Sequence, residues 1–169
     1  VRHGVCLEAT WPMSNGGAEH LTESVAEEAK RFPGGAFYRV THREIRDMHA
    51  ALVEIGILYV TLMVHDGWFD PGPERRRVDF QESGTMRSIE LPVIQRLGRA
   101  TSGHAVALAG YTGEGFIVQN SWGPEWGEGG FALLPYEDYM LHATDVWAAQ
   151  LGVPVKIDLW AQGFADTTA

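Results

Sequence analysis

The stretch Gly103–Leu134, GHAVALAGYTGEGFIVQNSWGPEWGEGGFALL, decides how the rest of the chain is read. His104 to Tyr111 is an apolar run with small residues at Ala105, Ala107 and Ala109, and Phe116 to Asn120 is a second short run of β type. Thr112-Gly113-Glu114-Gly115 between them is a turn signal, so the two runs are predicted to pair as a hairpin. Counting outward from the turn puts His104 and Asn120 near the same open end. An imidazole acting as a base needs one ring nitrogen free and the other held by an acceptor, and a carboxamide oxygen supplies such an acceptor. Taken alone, His104 also fits a core histidine with its hydrogen bonds satisfied, since a single motif rarely decides function.

The residues after Asn120 add a second motif. Asn120-Ser121-Trp122-Gly123, then Trp126-Gly127, then Gly129-Gly130 before an apolar run, resembles the active-site Asn segment of the papain-like (C1-type) cysteine peptidases. Gly103-His104-Ala105-Val106 followed by Gly110-Tyr111 resembles their catalytic His segment, and the sixteen-residue interval from His104 to Asn120 suits that family. The resemblance implies hydrolysis of peptide bonds by a Cys-His-Asn mechanism, without a cofactor or metal. In it His104 shuttles the proton and Asn120 orients the ring. It further implies that Trp122, with Gly123, supports the site by covering the His-Asn hydrogen bond, and that Ser102, Gly103 and Ala105 line the substrate cleft.

A thiol mechanism needs a nucleophile, and Cys6 is the single cysteine of the 169 residues. The family's nucleophile stands at a helix start in a Cys-Gly-Ser/Ala-Cys-Trp/Tyr setting, roughly 130 to 150 residues before the His. Cys6 is followed by Leu7-Glu8 and precedes His104 by 98 residues, so context and distance both disagree. Gly4-Val5-Cys6-Leu7-Glu8 with Trp11-Pro12 instead resembles a family segment that follows the nucleophile. The expectation is therefore a peptidase fragment, inactive by itself, whose nucleophile and remaining N-terminal part lie upstream of Val1. Cys6 then reads as a small buried hydrophobe. The alternative is a non-catalytic papain-like homologue that acts as a binding module.

Composition sets the outer bounds. With 45% hydrophobic residues the chain can bury a sizeable core. A net charge of −9 argues against nucleic acid as a partner; a polypeptide substrate is what the resemblance implies. No uninterrupted apolar stretch reaches about eighteen residues, so no membrane span is expected. The lack of any internal disulfide is compatible with a soluble, cytoplasmic protein, although the compartment itself is not indicated.

The resemblance and the element order together predict an α+β fold. Residues 1–36 would be a remnant of the helical half, residues 37–160 the β-barrel-like right-hand half, and residues 161–169 a frayed tail. Within it, Thr22 to Phe32 reads as a short helix. Thr41-His42-Arg43-Glu44 reads as a capping box opening a helix over 42–55, with Ile45, Met48, Leu52 and Ile55 at helical spacing and Gly56 as C-cap. Ile57 to Val64 shows little alternation and is predicted to be a central strand buried on both faces. Arg75-Arg76-Arg77 reads as a solvated loop, His65 to Asp70 as a loop with aromatic anchors, and Ser88 to Leu91 as a strand. His42 and His49 are expected at the surface. Tyr139 to Ala149 reads as a helix on which Asp138, His142 and Asp145 form a solvated face, and Leu151 to Leu159 as a further strand.

Overall fold

The computed structural model describes residues 4–7, 9–11 and 22–151. The expected strand at 151–159 and the tail at 161–169 lie outside the described residues, apart from Leu151. The chain forms two compact units, one of residues 1–37 and 149–169 and the other of residues 38–148.

In the first unit, helix α1 (Glu23–Ala29) is shorter than the predicted span. Thr22 is its N-cap, with Oγ1 accepting the Val25 N–H. Only Val25 of the helix is buried. Gly4, at φ +70°, packs so closely that a Cβ would lie 1.9 Å from the Ala29 carbonyl oxygen, and the next residue, Val5, donates to the Phe32 carbonyl.

The second unit is built on a sheet. Its strands are β2 (Leu58–Val64), β5 (Ser102–Tyr111), β6 (Gly115–Gln119) and β7 (Phe131–Pro135). Strands β1 (Gly34–Arg39) and β8 (Ala143–Leu151) have parts in both units, and the full order is β1-β8-β2-β5-β6-β7. The β5–β6 hairpin forms as predicted, with Tyr111 opposite Phe116 and a register shift between Leu108 and Gly110. Strand β2 is central, between β8 and β5, but its burial alternates. Leu58, Val60, Leu62 and Val64 face the core while Tyr59 and Thr61 are exposed, so the expectation of two buried faces is corrected. Thr61 was easily misread because a Thr in an apolar run adds β propensity whether or not it is covered.

Helix α2 (Ile45–Ile55) covers the inner face, placing Met48, Ala51 and Leu52 in one core with Leu58, Val60, Leu62, Val106, Leu108, Phe116 and Val118. Gly56 closes it in the left-handed conformation, φ 86°, with its N–H on the Leu52 carbonyl. The capping box does not form: Glu44 is the N-cap and makes no side-chain cap bond, and its N–H turns back to the Thr41 carbonyl. His49 is partly buried, not at the surface. It stacks on Tyr111 at 3.8 Å, and its Nε2 lies 2.7 Å from the Tyr136 hydroxyl, which in turn donates to the Thr112 carbonyl.

The Arg75 to Arg77 run is not a loop. It begins β3 (Arg75–Glu82), which pairs residue for residue with β4 (Thr85–Pro92) across a two-residue Ser83-Gly84 turn, both at positive φ. Charged side chains hid the strand: Arg75 bonds Glu128, Arg76 bonds Glu74 and Glu114, and Arg77 bonds Asp79. Val78 and Leu91 turn inward to a small second core with Val93 and Leu133.

The predicted helix over 139–149 is also corrected. Helix α3 (Tyr136–His142) ends there, and β8 follows directly, pairing Val146 with Val60 and Ala148 with Leu58. The β-branched Thr144 and Val146 favour the strand. Asp138 is 4% exposed rather than solvated. Among the described residues no helix is long and apolar enough to cross a membrane.

Leu52, 5% exposed within the core, makes the packing of α2 measurable. Leu52→Ala is expected to cost about 2–5 kcal/mol, read as a lower denaturant midpoint with an unchanged slope. A cost below about 0.5 kcal/mol would mean that this face is not packed. Burial also holds the His49 imidazole below its ordinary value of 6.5. The unfolded chain therefore binds that proton more tightly than the folded one. The His49 contribution is complete above about pH 6.5 and is lost as the pH falls through the lowered folded-state value. His49→Gln should accordingly lose less stability than the parent chain between about pH 7.5 and about pH 5.5, and equal losses would contradict this role.

Candidate active site

His104 sits on β5 opposite Leu62 and shares the inward face with Val106 and Leu108. Asn120 follows the last residue of β6 and shares the inward face with Phe116 and Val118. Because Ala107 pairs with Gln119, the two polar side chains emerge just beyond the end of the ladder, on the same face. They meet there: His104 Nε2 lies 2.9 Å from Asn120 Oδ1. The carboxamide oxygen is an acceptor, so Nε2 donates in this contact and Nδ1 is the ring nitrogen it leaves out. The same Oδ1 accepts the Ser121 N–H at 2.8 Å, and the Asn120 N–H donates to the Gly130 carbonyl at 2.9 Å, which fixes the carboxamide from both sides. Asn120 is 8% exposed, and its Nδ2 has no partner among the described residues.

The glycine-rich loop folds the indoles around this pair. Gly127, at φ +64°, leaves no room for a Cβ, which would lie 2.3 Å from the Phe131 carbonyl oxygen. Gly123, at φ +99°, turns the chain after Trp122, and its carbonyl accepts the Trp126 N–H. Trp122 stacks on His104 with ring centroids 4.7 Å apart. Phe69 stacks on Trp122 at 5.5 Å and 2°, and Trp68 presents an edge-to-face ring to His104 at 6.3 Å. Buried Trp126 donates Nε1–H to the Trp68 carbonyl at 2.6 Å, tying the loop to the turn at Asp66–Trp68.

Ser102, Gly103 and Ala105 flank His104 and are exposed. Ala105 joins Tyr59, Val106, Ala107, Gln119, Asn120 and Ser121 around an open hollow of about 450 Å³, whereas Ser102 and Gly103 do not line it. Cys6 is half-buried and unpaired, in the other unit. The contributions of Trp68, Phe69 and Trp126 were not legible beforehand, since nothing in the sequence says that residue 68 meets residue 126. The side-chain group with metal-ligand spacing, among the described residues, is His65, Asp138 and His142, whose donor atoms lie within 4.8 Å of one another.

A His from one strand and an Asn from the end of the next meet beneath a Trp ring on a sheet-dominated α+β scaffold. Residues 72–146 match the family described as papain family cysteine protease. No curated protein gives a significant sequence match. Similar solved structures include the crystal structure of xylellain, a cysteine protease from Xylella fastidiosa. It shares 22% identity and a TM-score of 0.64, over 92% of this chain and 58% of that one. The chain thus spans little more than half the length of that protease. The papain-like resemblance read from the sequence is borne out, in family over the segment that carries His104 and Asn120 and in fold as the β-rich half.

Proposed function

We propose that His104 and Asn120 serve a cysteine-type peptidase acting on polypeptides. One observation carries the reading: His104 Nε2 is held by Asn120 Oδ1 at 2.9 Å under the Trp122 ring, which leaves Nδ1 as the nitrogen able to exchange a proton. In the proposed sequence a thiol loses its proton to His104 Nδ1, and the thiolate attacks the scissile carbonyl carbon. The tetrahedral adduct collapses as the imidazolium returns the proton to the leaving amine. Water, deprotonated by the same nitrogen, then releases the acyl group and restores the thiol. Asn120 keeps the ring in one orientation and tautomer through both halves. The thiol is proposed to come from upstream of Val1, because Cys6, followed by Leu7-Glu8 and only 98 residues before His104, matches the family's nucleophile segment in neither context nor distance. Ser102, Gly103 and Ala105, exposed beside His104, are proposed to line the cleft that receives the substrate chain.

The roles differ in weight and so does the expected damage. In the complete enzyme, His104→Ala should lower kcat on one peptide substrate by about a hundred- to ten-thousandfold, with KM nearly unchanged and the circular dichroism spectrum intact. Asn120→Ala should leave a measurable remainder. Wild-type kcat in a folded His104→Ala protein would overturn the Cys-His-Asn mechanism, and no hydrolysis by the complete, folded protein would favour a binding module.

A further inference from the structure

Helix α3 carries Asp138 and His142 one turn apart, and both face the end of β2. Asp138 Oδ1 lies 2.6 Å from His142 Nδ1, and Asp138 Oδ2 lies 2.8 Å from His65 Nε2. Both carboxylate oxygens are thus occupied by imidazoles. His65 and Asp138 are 1% and 4% exposed, so the carboxylate has exchanged water for these two donors.

The other nitrogen of His65 decides what the cluster is. His65 Nδ1 lies 3.2 Å from the Gly67 backbone nitrogen and 3.5 Å from that of Leu97, and both N–H groups point at it. Nδ1 therefore accepts, and the ring proton sits on Nε2 and is donated to Asp138. A cation bound at Nε2 would move that proton to Nδ1, against two backbone donors. The donor set consequently suits a hydrogen-bonded relay and not a metal, although its spacing alone would allow one.

His65 holds the turn at Asp66–Trp68 from inside. The Trp68 N–H bonds the His65 carbonyl, and the Gly67 N–H bonds its ring. Gly67 sits so tightly that a Cβ would lie 1.8 Å from the Gln95 carbonyl oxygen. The turn delivers the Trp68 edge to His104, the Trp68 carbonyl to Trp126 and Phe69 to the outer face of Trp122. We infer that Asp138 is a positioning residue for His104, acting through His65 on the turn that supplies the aromatic wall of the site. The inference rests on His104 being the working imidazole.

The test uses the 169-residue chain and the ring resonances of its histidines. A long-range ¹H–¹⁵N spectrum should place the His65 proton on Nε2, and one equivalent of Zn²⁺ should leave it there; loss of that proton on Zn²⁺ uptake would make the cluster a metal site and overturn the inference. Asp138→Asn keeps the shape but turns an amide NH₂ toward one of the imidazole donors. It should displace the His104 Cε1–H and Trp126 Nε1–H signals beyond a line width. His49, beside Tyr111 at the far end of β5, should stay in place. Unmoved His104 and Trp126 signals in folded Asp138→Asn, or an equal shift at His49, would overturn the inference. If Asp138→Asn does not fold, His142→Gln at the half-buried rim is judged by the same signals. None of these readings needs peptide hydrolysis. A displaced His104 in a protein whose His104→Ala variant keeps its kcat would leave the relay standing and remove the catalytic role of His104. A static His104 with an inactive His104→Ala variant would do the reverse.

Discussion

A single hydrogen bond, His104 Nε2 to Asn120 Oδ1, sets the demands that the surrounding structure meets. It exists only if two strands keep one register, because a slip of one residue would turn either side chain to the opposite face of the sheet. The alternating burial of β2, β5 and β6 enforces that register: Leu62, Val106 and Val118 lie on the side that α2 covers. Core packing around α2 and the site geometry are in this sense the same constraint, seen at two places along the strands.

Around the bond stand aromatic residues from distant parts of the chain. Trp122 comes from the loop after β6, while Trp68 and Phe69 come from the turn after β2. Trp126 links the two through the Trp68 carbonyl. Glycines at positive φ make the loop possible, since Gly123 and Gly127 take backbone conformations that L side chains rarely adopt. Exposed Phe69 and Trp122 continue the stack outward from His104.

What was legible in the sequence follows from which forces act locally. The β5–β6 hairpin, α2 with its Gly56 cap and the pairing of His104 with Asn120 all follow from turn chemistry, periodicity and spacing. Arg75 to Arg77 carry no apolar signal, because a strand pairs through its backbone and tolerates an ionic outer face while Val78 and Leu91 turn inward; the Ser83-Gly84 turn was the signal available. Ala, Val and Trp in residues 143–148 suit helix and strand alike, and only pairing with β2 decides between them. The burial of Asp138 is not legible locally, since a carboxylate is seldom buried and its partner His65 lies 73 residues away.

The central claim is that this chain by itself presents a histidine with one nitrogen held and the other free. The most direct measurement is the tautomeric state of His104 in the isolated 169-residue chain at neutral pH, read from its ring nitrogens. The account predicts a proton on Nε2, slow to exchange because it is bonded to Asn120 beneath Trp122, and an unprotonated Nδ1. A proton on Nδ1, or an Nε2 proton exchanging as freely as that of an exposed imidazole, would contradict it.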